Sequence, residues 1–595
     1  MNEAAYRLDA AGPAAVVVPE ALKAIRTQVM WNRLIAVVEE QAQALLRTAF
    51  GSVAREAGDL SAGVYDRDGR MLAQAVTGTP GHVNSMASAV GHFLARFDRQ
   101  VMQRGDVFIT NDPWLGTGHL FDYVVVTPVF GPRGGPPLAL FASTCHTIDV
   151  GGIGFSAEAR SVFEEGTRIP HLPLARAGAL NEDVLAIVQA NSRNPIEARG
   201  DILSLMSCNE VGVARLLEMM VEFGLEDIDG LAQHILTHSR DATRAAIAKL
   251  PRGCWQVSMS LDGYDNPVEL RAAITIDSEQ VTVDYAGSSP ASARGINSPK
   301  CYTDAYSVYG LKCLIAPDVP NNAGSLEPFV VLPAPGTIVD PEPPAPVTAR
   351  HVVGQMLPDL MFGGLEAALA GAVPAESAGS IWVLAMAQAT GPVATDCGRE
   401  ARFNAMSVGL GGTGARPTKD GLSTTAFPSG VGGIPVEVTE AQAPVVFLEK
   451  SLLTDSGGAG IWRGGLGQRI VVTGAYRQAF TCAAATFDRR SFPARGRSGG
   501  QDGAPGKVEV IDGDGRVTPF YGKGTILIPK DGCLRVELPG GGGFGSPPLR
   551  NASLVAADLA HELISPESAA RIYLAKPMPS RPSSESSSAA PGAGA

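Results

Sequence analysis

Glycine is spread unevenly along this chain. Of its 69 glycines, 32 fall in the 195 residues after residue 400, and a residue without Cβ suits turns and close backbone approach at some cost in chain entropy. Runs such as GLGGTG at Gly409–Gly414 and GGGGFG at Gly540–Gly545 predict a turn-rich, β-leaning C-terminal half. The chain is nevertheless globular in kind: glycine plus the 43 prolines stays below the roughly 25–30% of low-complexity sequences, and 45% of residues are apolar. Its 595 residues exceed the ~150 of a typical domain, so roughly two to four domains with several cores are expected.

Charge and cysteine usage remove whole classes of function. With 48 Lys+Arg against 60 Asp+Glu, the net charge is −12. Neither nucleic acid nor an anionic membrane offers such a chain a favourable field, so neither is expected as a partner. The 8 cysteines are scattered without a CxxC pair, which argues against a zinc ribbon, a thioredoxin-like centre or a disulfide framework. The N-terminal stretch MNEAAYRLDAAGPAAVVVPE carries acids where a signal peptide needs a basic region. No apolar run reaches the ~18 residues of a membrane span. The expected compartment is the cytoplasm.

From Pro19 to Phe50, apolar residues recur at helical spacing, predicting one long amphipathic helix. LSAGVYDRDGRMLAQA reads as a hairpin around its DRDG turn. Residues 80–97 read as a helix, and DVFITNDP, FDYVVVTPVF and LALFASTCHTIDV as three buried strands. Residues 180–250 alternate helical stripes with caps, and a stretch of strands follows Pro251. Helices return at 300–316 and 351–371, with the proline-rich PAPGTIVDPEPPAPV between them as a linker or loop. The whole reads as an α/β (α+β) multidomain chain with an N-terminal mixed α/β metal-binding region, a helical layer and a β-rich, Gly-rich C-terminal half. The expected divisions are 1–250 for the α/β region with the metal site and helical layer, 251–350 for a β-rich segment with short helices, and 351–574 for the Gly-rich α/β region. The tail 575–595 lacks the apolar content that offsets ordering entropy and is expected to be disordered.

Five of the 9 histidines, His82, His92, His119, His146 and His171, fall in the first 171 residues. Two of them sit in H-x-x-D patterns, His119 with Asp122 and His146 with Asp149, both beside predicted strands. Neutral imidazole and carboxylate are ligands of Zn²⁺, Mn²⁺ or Fe²⁺, and neighbouring strand ends can gather several of them. The competing reading is ordinary strand-end polarity bonded to backbone, and two such patterns framing a strand pair leave both open. Other motifs fail on context. The two G-x-G-x-x-G matches run into ARPTKDG and SPPLRN, which open no helix for a pyrophosphate. No Walker A lysine occurs, so no nucleotide-binding residues are expected. LTDSGGAG around Ser456 lacks a matching His base and Asp orienter. These three glycine-bearing stretches read as tight turns.

Taken in order, GDLSAGVYDRDGRMLAQA, PGHVNSM, GDVFITNDPWLGTGHLFDYVVV, HTIDVGG, EEGTRIP, ANSRNPIEARGD, PVEVTE, LTDSGGAGIWRGGLGQ and LPGGGGFGSP resemble the hydantoinase B/oxoprolinase family over nearly the whole chain. That family includes components of N-methylhydantoinase, 5-oxoprolinase and caprolactamase-type enzymes, and is related to subunits of acetone and acetophenone carboxylases. The resemblance implies one divalent metal (Zn, Mn or Fe) on Asp59, His119, Asp122 and His146, with His82, Asp149 and Asp112 as catalytic or ligand-supporting candidates. It implies a subunit of a cytoplasmic hetero-oligomer that opens a cyclic amide C–N bond at the expense of ATP, with ATP and Mg on a hydantoinase A-like partner. A biotin-independent ketone carboxylase using bicarbonate is the alternative, and a non-catalytic scaffold with a structural metal is a third reading.

Overall fold

The computed structural model describes residues 20–574 except 77, 370, 380, 390–392, 395–399 and 402. The tail from 575, expected to be disordered, lies outside the described residues. The first helix runs Glu20–Thr48, and Leu34, Val38, Ala42 and Leu45, spaced three or four apart, are fully buried. That stripe, together with the helix Pro195–Glu222, covers one face of a seven-stranded sheet. Polar groups tie the layers together inside this core: Gln41 Nε2 donates to the Ala142 carbonyl (3.1 Å), and Asn209 Nδ2 to the Val125 carbonyl (3.0 Å).

The sheet is built from β1 (Leu60–Asp66), β2 (Met71–Gln74), β3 (Val107–Thr110), β4 (Asp122–Val129), β5 (Ala139–His146), β6 (Leu172–Arg176) and β7 (Ala179–Leu180). They lie in the order β2-β1-β5-β4-β3-β6-β7, antiparallel throughout. Strands β4 and β5 are buried along their full length, because the helix Pro80–Arg96 packs Val83, Met86, Val90 and Phe93 on the second face. A strand covered on both faces has no reason to alternate apolar with polar residues, and DYVVVTPV does not.

Beyond Pro251, β8 (Gly253–Leu261), β9 (Val268–Ile276), β10 (Val281–Asp284) and β11 (Phe329–Leu332) form a second sheet ordered β11-β10-β9-β8. Strand β12 (Ile381–Gln388) pairs with Asn404–Leu410 on one side and Phe480–Ala483 on the other. The chain is thus a mixed, multidomain α/β fold of helices and several sheets, as its sequence implies. Among the described residues, no helix is long and apolar enough to cross a membrane.

The glycine-rich runs depart from expectation. Of the glycines in Gly409–Gly414 and Gly540–Gly545, Gly545 alone has positive φ (+74°), so these are not chains of tight turns. They are extended rods packed backbone against backbone. Gly541, Gly542 and Gly543 donate in turn to the carbonyls of Gly465, Glu376 and Gln501, at 3.0, 2.8 and 2.8 Å. A Cβ placed on Gly540, Gly541, Gly542 or Gly543 would meet the backbone oxygen of Ser456, Thr413, Arg495 or Ala459 at 1.8, 2.0, 2.2 and 2.2 Å. The contacts rotate around the rod, so glycine is required here for the same reason as at a collagen axis. Ser456 serves this architecture too: its hydroxyl accepts from Gly467 N–H (3.0 Å) and donates to the Leu453 carbonyl (2.5 Å). Gly541→Ala should therefore cost at least about 3 kcal/mol, because the obstacle is backbone that has nowhere to move. Gly230→Ala, with nothing within 4 Å of its Cβ, should melt within a degree or two of the parent, and thermal unfolding compares the two.

Candidate functional site

The site grows out of strand register. Asp122 opens β4 and is paired directly with His146, which closes β5. On the other side of β5, Leu60 pairs with Cys145, and Asp59, just before β1, accepts the His146 amide on its carbonyl at 3.0 Å. Three adjacent strand ends thus bring Asp59, His146 and Asp122 together, and the loop entering β4 adds His119. The N–H-rich first turn of the helix Pro80–Arg96 contributes His82.

Asp122 is the centre of the cluster and fully buried. Its two oxygens have separate duties. Oδ2 accepts from Arg350 Nη2 (2.6 Å) and Thr117 Oγ1 (2.9 Å) and lies 3.0 Å from His82 Nε2. Oδ1 faces His119 Nε2 at 3.0 Å and His146 Nδ1 at 3.3 Å. The ligand-type atoms of His119, Asp122 and His146 lie within 4.8 Å of one another. Asp59 stands one imidazole away, its Oδ1 3.4 Å from His82 Nδ1 and 3.1 Å from the Thr79 hydroxyl that donates to it.

These contacts define protonation states. The Thr348 carbonyl, 2.9 Å from His119 Nδ1, can only accept, so Nδ1 carries the proton and Nε2 is the lone-pair nitrogen of a neutral ring. Burial and the Arg350 guanidinium push the His119 pKa down to about 4. Its Nε2 is buried without a hydrogen-bond partner, pointing a lone pair at a carboxylate oxygen. That juxtaposition is repulsive unless a cation joins the two, so the donor set fits a divalent metal. Burial opposes charge on Asp122, but the surrounding imidazoles and Arg350 hold its carboxyl well below the usual carboxylate range. Burial likewise opposes a charged His82, and Asp122 with Asp59 outweighs it, leaving that imidazole more basic than usual.

Two candidates from the sequence lie elsewhere. Asp112 caps the turn after β3, its Oδ1 accepting the Trp114 and Leu115 amides (2.9 and 3.0 Å) while Oδ2 pairs with Arg168. Asp149 is held by Arg193, whose Nη2 is 3.1 Å away, and by the Ser192 hydroxyl at 3.3 Å. Of the remaining candidates, Asp59, His82, His119 and His146 all line one pocket.

No sequence pattern marks Arg350, His351 or Thr117 as part of the site. The proline-rich stretch before Arg350 is a loop, as expected, but one laid as a strap across the N-terminal sheet region. Val162 N–H donates to the Pro344 carbonyl (2.9 Å), and the buried Glu165 accepts the Val347 and Thr348 amides on Oε1 at 2.6 and 2.7 Å. So anchored, the strap presents the Thr348 carbonyl to His119, the Arg350 guanidinium to Asp122 and His351 to the pocket. Glycines make room for what packs beside it: a Cβ on Gly118 would meet Arg350 Cδ at 2.4 Å.

Fold and pocket together define a multidomain α/β protein with a buried imidazole–carboxylate centre. The family described as hydantoinase B/oxoprolinase matches residues 23–547, and the chain belongs to it. A protein of Methanocaldococcus jannaschii is 30% identical over 559 residues, covering 93% of this chain and 96% of its own length. The 5-oxoprolinase of Dictyostelium discoideum is 26% identical over 540 residues, 88% of this chain, which spans only 40% of that protein. Among solved structures, the ATP-dependent caprolactamase from Pseudomonas jessenii superposes with a TM-score of 0.83 at 24% identity, covering 92% of this chain and 96% of that one. Acetone carboxylase in its nucleotide-free structure gives 0.79 at 18% identity, covering 93% and 79%. At these identities the two structures establish the fold.

Two outcomes follow for the strap and its anchor. Arg350→Met strands a buried carboxylate and should destabilise the metal-free protein by about 3–5 kcal/mol, with Arg350→Met/Asp122→Asn recovering more than half, read from thermal unfolding. Glu165 has its pKa pushed up by burial to about 7, so its folded-state value lies above the unfolded one. Its contribution is complete below the unfolded value and lost as pH rises through about 7. Stability should fall by up to about 3 kcal/mol across that window, and Glu165→Gln, which keeps the acceptor, should flatten the profile.

Proposed function

We propose that this chain is the metal-binding subunit of an ATP-dependent cyclic amide hydrolase that opens a ring C–N bond. The observation carrying this reading is the buried group of His119 Nε2, Asp122 Oδ1 and His146 Nδ1, beside a pocket lined by His119 and His146 together with Asp59, His82, Arg350 and His351. Three donors without cysteine are the pattern of a centre with open positions, whereas structural zinc sites are closed and usually thiolate-rich. A divalent ion on this set would supply Lewis acidity toward a carbonyl or phosphoryl oxygen.

The chain's own residues do the rest. Arg350 and Thr117 fix the Asp122 carboxylate so that Oδ1 faces the imidazoles. The Thr348 carbonyl fixes the His119 tautomer, which is how ligating imidazoles are normally oriented. His82, between Asp122 and Asp59, is placed to hold a proton at Nδ1 and pass it between Asp59 and a substrate. An unstrained amide is a poor electrophile; phosphorylation of its oxygen by ATP makes the ring carbon open to water, the C–N bond then breaks with the nitrogen taking up a proton, and a second water releases phosphate from the resulting acyl phosphate. Both G-x-G-x-x-G stretches are consumed in rod packing, in line with ATP binding on a separate hydantoinase A-like partner.

The test is reconstitution with that partner and a panel of cyclic amides and ketones. Ring opening should require both chains, ATP and about one divalent ion per chain. His119→Ala should lower bound metal and kcat/KM by about 100-fold or more, with the partner's ATP site still occupied. Tight ATP binding to the isolated chain, or bicarbonate-dependent carboxylation of a ketone without ring opening, would overturn the proposal.

A further inference from the structure

Resting on that reading, the walls of the same pocket specify what the ring carries. Opposite the polar side stands an apolar wall of Val53, Phe155, Ile381, Val383, Met406 and Val408. Its flat part is a pair of antiparallel strands in which Val383 lies directly across from Val408. Along the described lining, Arg350 is the one lysine or arginine, and it is already committed. Its Nη2 bonds Asp122 at 2.6 Å, its Nε bonds the Thr117 carbonyl at 2.8 Å, and its guanidinium lies 4.0 Å from the Tyr302 ring centroid. His82 is likewise committed between two carboxylates. A carboxylate entering this pocket would be desolvated beside Asp59 with Arg350 and His82 already paired, and it could reach a divalent ion on His119, Asp122 and His146 only by displacing the ring oxygen, which is strongly penalised. An uncharged amide meets better terms: His351, stacked on Phe155 with ring centroids 5.8 Å apart, carries a buried Nε2 with no hydrogen-bond partner.

The pocket is also small. It leaves about 50 Å³ for the centres of water-sized groups. At about 10–15 Å³ per water and about 30 Å³ of liquid volume each, that is room for about four waters, or about 120 Å³. This accommodates a single small ring without a large substituent.

We infer that the pocket takes a small, uncharged, largely aliphatic lactam or imide and rejects rings bearing a carboxylate. In this the chain departs from the substrate for which its 5-oxoprolinase relatives are named.

The experiment compares 2-pyrrolidinone with 5-oxoproline, the same ring plus a carboxylate, on the metal-loaded complex with its partner and ATP. Both turnover and equilibrium binding, by saturation-transfer NMR competition, are read. The expected result is a kcat/KM for 2-pyrrolidinone at least 100-fold above that for 5-oxoproline, with binding in the same order. Met406→Lys, which sets an ammonium on the apolar wall, should narrow the ratio at least tenfold. Equal or better use of 5-oxoproline by the parent complex overturns the inference, whether or not the Lys variant folds. If no ring is opened, the proposed function falls, and the inference is then decided by binding alone: preference for the neutral ring upholds it, and preference for 5-oxoproline overturns it.

Discussion

A carboxylate removed from water must be paired or it will not stay ionised, and Asp122 is fully buried. Its partners come from four separate stretches of chain: Thr117 and His119 from the loop before its own strand, His146 from the end of β5, His82 from the helix above the sheet, and Arg350 from 228 residues further on. The site is therefore a property of the docked assembly and not of the N-terminal sheet alone. Until the strap is seated on Glu165, His119 lacks the carbonyl that selects its tautomer and Asp122 lacks its guanidinium. Binding chemistry and long-range folding share the same few contacts.

Much of this was legible in the sequence where physics acts locally. The helix Glu20–Thr48, the hairpin of β1 and β2, the valine-rich β4 and the buried β5 follow from periodicity and turn chemistry. The pairing of His119 with Asp122 follows from spacing at a strand entry. What spacing does not carry is register: Asp122 stands opposite His146 only because β4 and β5 align as they do. For the same reason Asp112 and Asp149, which look equivalent on paper, are spent on backbone amides and on Arg193. Arg350 was hidden for a different reason. A proline-rich run reads as a linker or loop by its composition, which says nothing of what it docks on, and its anchor is a glutamate 182 residues upstream.

The glycine rods look like turns in the sequence because local sequence reports what glycine permits, while here its use is decided by what lies alongside. No local pattern distinguishes a glycine needed for left-handed φ from one needed because another backbone passes 2 Å from where its Cβ would be. The distinction matters for the pocket, since β12 and Asn404–Leu410, which form its apolar wall, feed directly into this packing through Gly409 and Gly412.

Contacts along the rod recur at every third residue: Gly540 faces Ser456, and Gly543 faces Ala459 on the same neighbour. A three-residue repeat has a consequence for how such a segment can change in length. Inserting or deleting one or two residues would turn every later glycine toward the wrong neighbour and aim side chains at backbone, whereas a change of three preserves the phase. The rods should thus tolerate length variation only in whole triplets, a grammar of insertions and deletions quite unlike that of an ordinary loop.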